Sequence, residues 1–187
     1  IVKTVPSLEN AKVIVSLDSD FLGTEPGSTR HTRGFANGRK LRNGPSDTMN
    51  RLYVVEPSFT TTGMNADHRL RLPAQNVEGY LVALARELAT THKLELGGIA
   101  ASLTLKAEGV PEKWIKEVAK ELAANRAASL IVVGSRQPAR VHALAHAVNG
   151  ALGNAGHTVN YFPVGDPLEQ DPTFAIKSLA DDIGKNA

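Results

Sequence analysis

Three carboxylates in this chain stand where an α/β protein places its chemistry. Asp18 and Asp20 close the mainly apolar segment Lys12-Val-Ile-Val-Ser-Leu17, and Glu56 closes the apolar run Leu52-Tyr-Val-Val55. Ser19 lies between the two aspartates. Ser58, Thr60, Thr61, Thr62 and Gly63 follow Glu56 and Pro57. Short apolar runs of this kind read as buried strands. In an open α/β sheet, ligands sit outside the carboxyl ends of the strands. Acids followed by hydroxyls at such ends suit a ribose and phosphates, and they equally make an ordinary polar loop. A third run, Ser129-Leu-Ile-Val-Val133, ends in Gly134-Ser135-Arg136 before a helix. Unpaired N–H groups and the helix dipole there favour an anion.

Other constellations have simpler readings. His142 and His146 are one helical turn apart, as a metal pair would be. They lie among Ala, Leu and Val with no third ligand near, so a packed or half-exposed pair is expected. Asp18, Asp20 and Glu56 could share a metal, but caps for the following turn are the favoured role. The run Arg30, His31, Arg33, Arg39, Lys40 and Arg42 is read as a solvated face in preference to an anion-facing loop. No Gly-x-Gly-x-x-Gly, no Gly-x-x-x-x-Gly-Lys-Ser/Thr and no Gly-x-Ser-x-Gly is present. The chain has no cysteine, so it supplies no disulfide, thiolate metal site or iron–sulfur ligand.

The elements that must hold these residues alternate. Strands are expected at 12–17, 52–55, 129–133 and 158–162, with a short half-buried one at 68–72. Helices are expected at 28–41, at 77–90 capped by Asn76, and from just before Pro111 to about 124. A further helix runs from after Pro138 to about 153, and another spans 174–183. Turns fall at 43–46 and 97–98, and a Pro/Asp-rich loop at 163–172. Trp114 reads as a packing anchor, and Asp181-Asp182 as a solvated helix face. The implied fold is α/β, a Rossmann-like mostly parallel sheet with helices on both faces, in one domain of 187 residues. The chain carries 21% charged residues with a net charge of only +2. That gives no electrostatic case for nucleic acid. No apolar run approaches the roughly 20 residues that span a bilayer, so no direct membrane insertion is expected. Ile1 opens without Met, and the last helix stops where an α/β chain would turn into a further strand. The expectation is an excised fragment of a longer protein.

Several long stretches carry a family resemblance. They are Val13-Ile-Val-Ser-Leu-Asp-Ser-Asp-Phe-Leu-Gly23, Met49-Asn-Arg-Leu-Tyr-Val-Val-Glu56 and Ala66-Asp-His-Arg-Leu70. Val133-Gly-Ser-Arg-Gln-Pro138 adds to them, with His142-Ala-Leu-Ala-His146 and Asn149. Over roughly residues 11–163 the chain resembles the molybdopterin oxidoreductase family. More closely it resembles the cofactor-less branch in the iron–sulfur subunit of alternative complex III, the polysulfide-reductase-like quinol:cytochrome c oxidoreductases. The resemblance implies the family's central-domain fold. It also implies a ligand edge at Asp18, Ser19, Asp20, Glu56, Ser58, Thr60, Asp67, Gly134, Ser135 and Arg136, which would be vestigial here.

The departures concern that edge. Where the family has Gly-x-Asn, this chain has Asp18 and Asp20. Asp-Pro-Arg has become Glu56-Pro57-Ser58, and Pro-Gly-Thr-Asp has become Pro73-Ala74-Gln75-Asn76. Carboxylates repel a pyrophosphate, and losing Gly removes room for close backbone approach. The resemblance therefore implies a scaffold domain of an electron-transfer subunit, holding no cofactor in this chain and not itself catalytic. Iron–sulfur clusters would lie elsewhere in the same polypeptide. Partners would be that iron–sulfur domain, membrane quinol-oxidising subunits and cytochrome c subunits, at the periplasmic face of the bacterial cytoplasmic membrane. Two alternatives stand beside it: an active domain binding molybdopterin guanine dinucleotide, and a stand-alone nucleotide-binding module.

Overall fold

The structure is a computed structural model that describes residues 2–41, 48–97, 99, 104–163 and 172–185. The turn expected at 43–46, Gly98 and most of the 163–172 loop lie outside the described residues. The strands are β1 (Val2–Pro6), β2 (Val13–Leu17), β3 (Arg51–Glu56), β4 (His68–Arg71), β5 (Ser129–Val133) and β6 (Val159–Pro163). The helices are α1 (Ser28–Asn37), α2 (Thr61–Met64), α3 (Val77–Thr91), α4 (Glu112–Ala124), α5 (Ala139–Ala151) and α6 (Pro172–Lys185).

Four parallel strands form the main sheet, in the order β4-β3-β2-β5. The centre strand β2 pairs with β3 from Val13↔Arg51 to Leu17↔Val55 and with β5 from Val13↔Ser129 to Leu17↔Val133. All of β2 is buried, which is why four of its five residues are apolar; the exception, Ser16, donates its hydroxyl to the Ser19 carbonyl at 2.7 Å. Its side chains alternate between two cores. Val13, Val15 and Leu17 join Tyr53, Val55 and Ile131 beneath α3, α4 and α5. Tyr80, Leu81, Leu84 and Leu88 of α3 meet Ile115, Val118 and Leu122 of α4 there. Each such fully buried side chain contributes about 1.5–3 kcal/mol. On the other face Ile14, Leu52, Val54 and Leu130 pack with Leu8, Phe21 and Phe35, the last from α1. The fold is thus α/β with helices on both faces of the parallel sheet, as the sequence indicates.

The strand at 158–162 is not a member of that sheet. β6 pairs antiparallel with β1, from Val2↔Pro163 to Pro6↔Val159, as a separate two-stranded sheet. A physical reason lies at the free edge of β5. The Ile131 N–H donates to Asn149 Oδ1 at 3.0 Å, and Asn149 Nδ2 donates to the Ile131 carbonyl at 2.8 Å. A side-chain amide from α5 fills the hydrogen-bonding place of a next strand. Thr158 Oγ1 donates to the Ser129 carbonyl on the same strand at 2.5 Å. Asn154 completes the buried network, donating to Asn149 Oδ1 at 2.9 Å and accepting from Ser129 Oγ at 3.1 Å.

β1 and α2 are not among the elements expected from the sequence, and the remaining differences are local. α1 ends at Asn37, with Gly38 next to it. Pro111 precedes α4 instead of lying inside it. Asn76 does not cap α3 with its side chain; its amide donates to the Glu108 carbonyl at 3.4 Å. No helix among the described residues is long and apolar enough to cross a membrane.

Candidate functional site at the carboxyl edge of the sheet

In the order β4-β3-β2-β5 the chain steps from β2 to one side and later to the other. The switch point, where α/β sheets hold ligands, therefore falls between the carboxyl ends of β2 and β5. Asp18 follows β2 and Gly134 follows β5. Beyond them opens a cleft of about 530 Å3, lined by Asp18, Asp20, Thr24, Glu25, Pro26, Ser58, Phe59, Thr60, Thr61, Ser135 and Arg136. Six of the ten residues expected at a ligand edge meet here: Asp18, Asp20, Ser58, Thr60, Ser135 and Arg136.

The floor of the crevice is closed by the protein itself. Asp18 adopts a left-handed conformation with φ 52°. Its side chain is buried and accepts from Gln137 Nε2 at 2.9 Å and from Arg136 Nη2 at 3.4 Å. A Cβ on Gly134 would lie 1.8 Å from the Asp18 carbonyl oxygen. Gly134 is thus required for loop-to-loop contact across the switch point.

The other acids are also committed. Asp20 Oδ1 accepts from the Thr62 N–H and hydroxyl, both at 2.9 Å, and Oδ2 from the Thr24 N–H at 3.1 Å. Burial works against its charge, but these donors outweigh it and hold the carboxyl below its ordinary range. Asp20 is the turn cap its position suggests, and it also ties the β2 loop to α2. Ser19 Oγ donates to Glu25 Oε2 at 2.8 Å. Burial pushes the Glu25 carboxyl up, opposed by that hydroxyl and the Ser135 N–H. Ser19 itself faces a neighbouring cavity of about 260 Å3, between β5, α5 and the 21–31 segment.

Glu56 is 1% exposed. It accepts from Arg69 Nε at 2.6 Å, Thr60 Oγ1 at 2.6 Å and the Thr60 N–H at 3.3 Å. Arg69 in turn lies over the Phe59 ring, 4.7 Å from its centroid. Glu56 therefore lies beneath the cleft as an internal ion pair. Asp67 is elsewhere. It precedes β4 at the amino edge of the sheet, accepts from the Leu52 N–H at 2.8 Å, and binds Arg39 at 2.6 and 3.1 Å. Burial opposes its charge, but Arg39 and the Leu52 N–H hold its carboxyl low. Parallel strands explain the separation: residues that enter strands and residues that leave them collect at opposite edges.

His146 Nδ1 is 3.0 Å from the Tyr161 hydroxyl, an α5-to-β6 contact. Burial and His142 hold the His146 imidazole below its ordinary value. Among the described residues no group of three His, Cys, Asp or Glu converges as a metal site would require. Gln137, Glu25 and Arg69 shape the site without a sequence signal, and Thr62, read among the strand-end hydroxyls, serves Asp20 instead. Each acts through a partner distant in the chain or a hydroxyl within a polar loop.

A pyrophosphate needs converging N–H donors and cations. Among the described residues that line this edge, Asp18, Asp20 and Glu25 face it with the single cation Arg136, whose side chain is 74% exposed. A like-charge pair costs about 4 kcal/mol at about 4 Å near a protein surface. The residues present do not fit a pyrophosphate-bearing dinucleotide. Compared with known proteins, the sequence matches no protein-family model, and no curated protein matches it.

Proposed function

We propose that this chain is a molybdopterin-oxidoreductase-like domain serving as a scaffold, without a molybdenum cofactor, in a subunit of a membrane-associated electron-transfer complex. The observation that carries this reading is the closed switch point. Asp18 is spent on Gln137 and Arg136, and Gly134 is pressed against the Asp18 carbonyl. An edge kept for a dinucleotide would leave N–H donors free at the pyrophosphate and turn carboxylates only to the ribose. Here Asp18, Asp20, Glu25 and Glu56 hold the loops to one another, and the loops to the sheet. In this reading iron–sulfur clusters in another segment of the parent carry the electrons. The domain offers surfaces to that segment and to quinol-oxidising and cytochrome c subunits at the periplasmic face of the membrane.

One observation favours the rival, a domain that binds the nucleotide half of molybdopterin guanine dinucleotide. The cleft retains Ser58, Thr60, Ser135 and Arg136 as potential donors. Elemental analysis of the intact parent for molybdenum and tungsten decides between them, together with assay of the fluorescent pterin released by acid oxidation. Iron with neither metal nor pterin is expected. Near-stoichiometric molybdenum or tungsten with pterin would overturn the scaffold reading.

A further inference from the structure

At the amino edge of the sheet, away from the cleft, three aromatic rings form a corner. Tyr53 and His68 are register partners on β3 and β4. Their rings stack at 4.7 Å with 19° between planes. Trp114, from the first turn of α4, stands perpendicular to both, at 87° and 5.8 Å from Tyr53 and 89° and 6.3 Å from His68. The indole is fixed by its N–H, which donates to the Tyr80 hydroxyl at 3.3 Å. Tyr53 is buried and backs the stack, whereas His68 is exposed.

The corner opens on a groove of about 440 Å3, completed by Arg51, Pro111, Lys113, Glu117 and Glu121. That size lies within the roughly 300–1,000 Å3 of small-molecule sites. Its charges balance. Arg51 is paired with Glu121, and burial, helped by Glu121, pushes the Tyr53 hydroxyl up to about 12. Lys113 and Glu117 add one donor group and one acceptor group at the exposed rim.

We infer that this corner binds a planar, uncharged heteroaromatic ring of purine size, stacked on the imidazole of His68 against the wall of Trp114. A flat π surface beside a perpendicular ring favours a planar guest over an aliphatic one. Balanced rim charges favour a neutral guest whose edge carries both a donor and an acceptor. A cation would meet Lys113 and Arg51, and an anion would meet Glu117 and Glu121. Stacking of a base on an aromatic side chain tolerates different rings, so the class is set by planarity and edge polarity.

Trp114 is the only tryptophan of the chain, so its fluorescence reports this groove alone. The full 187-residue chain is titrated with inosine, and separately with tetramethylammonium. Inosine is expected to quench saturably, with half the effect at about 1 mM or below. His68→Ala is expected to weaken binding at least about fivefold. Glu117→Gln, an exposed change that leaves the fold untouched, is expected to weaken it about two- to tenfold. Tetramethylammonium is expected to have no saturable effect. Quenching that rises linearly without saturation would overturn the inference. So would unaltered binding in both variants, or tetramethylammonium competing with inosine at equal concentration.

Discussion

Replacing Asp18 separates two opposed effects on one residue. Its backbone is left-handed, φ 52°, which costs a side-chain-bearing residue about 1–2 kcal/mol. Its carboxylate is the acceptor for the buried Gln137 amide at 2.9 Å. Asp18→Asn keeps an acceptor and tolerates this conformation. It loses only the attraction to the exposed Arg136, so stability is expected within about 1 kcal/mol of the native chain. Asp18→Gly relieves the backbone but leaves Gln137 only its 3.4 Å contact with the Ala74 carbonyl. A loss of about 1–3 kcal/mol offset by about 1 kcal/mol gives a net loss of about 1 kcal/mol. Asp18→Ala keeps the strain and loses the acceptor without that offset, for a loss of about 1–3 kcal/mol. Urea unfolding followed by Trp114 fluorescence resolves this order, since 1 kcal/mol moves the midpoint by about 0.3–1 M. A glycine variant more stable than the native chain would refute the reasoning. The carboxylate would then be kept at a cost in stability, as residues held for a ligand are, and the scaffold reading would lose its support.

Three further outcomes are expected. Asn149→Ala strips both Ile131 backbone groups and Asn154 of a buried partner. It should cost about 2–4 kcal/mol and speed amide exchange at Ile131; unchanged exchange would show the edge is held otherwise. Gly134→Ala drives a Cβ into the Asp18 carbonyl and should cost at least about 1–3 kcal/mol; near-native stability would mean the two loops part freely. Glu25 has a folded-state pKa raised by burial. Its contribution is fully present below the ordinary value of 4.5 and is lost as pH rises through the raised value. Glu25→Gln should flatten that part of the pH dependence of the urea midpoint, and identical slopes in the two proteins would refute the assignment.

The sequence alone determined most of the elements, though not β1 or α2. Val13–Leu17, Leu52–Val55 and Ser129–Val133 are legible as strands because a strand buried on both faces must be mostly apolar. α3 is legible because Leu81, Leu84 and Leu88 recur at the helical period on its buried side. Their alternation was enough for a parallel sheet with helices on both faces. Glu56, Ser58 and Gly134 were legible as lying at strand ends for the same reason.

Tertiary structure decided strand order and every partner. Order is a matter of contacts between residues far apart, on which periodicity is silent. Nothing local marks Asn149 as the group that occupies the free edge of β5, 18 residues from Ile131 in sequence. With that edge taken, β6 pairs with β1. Asp18 meets Gln137 across 119 positions. Asp67, grouped with the ligand edge by its place in the sequence, stands at the opposite edge, because a residue entering a parallel strand lies a strand's length from those leaving. The aromatic corner has the same origin. Tyr53, His68 and Trp114 come from two strands and a helix, and only the β3–β4 register and the packing of α4 bring their rings together.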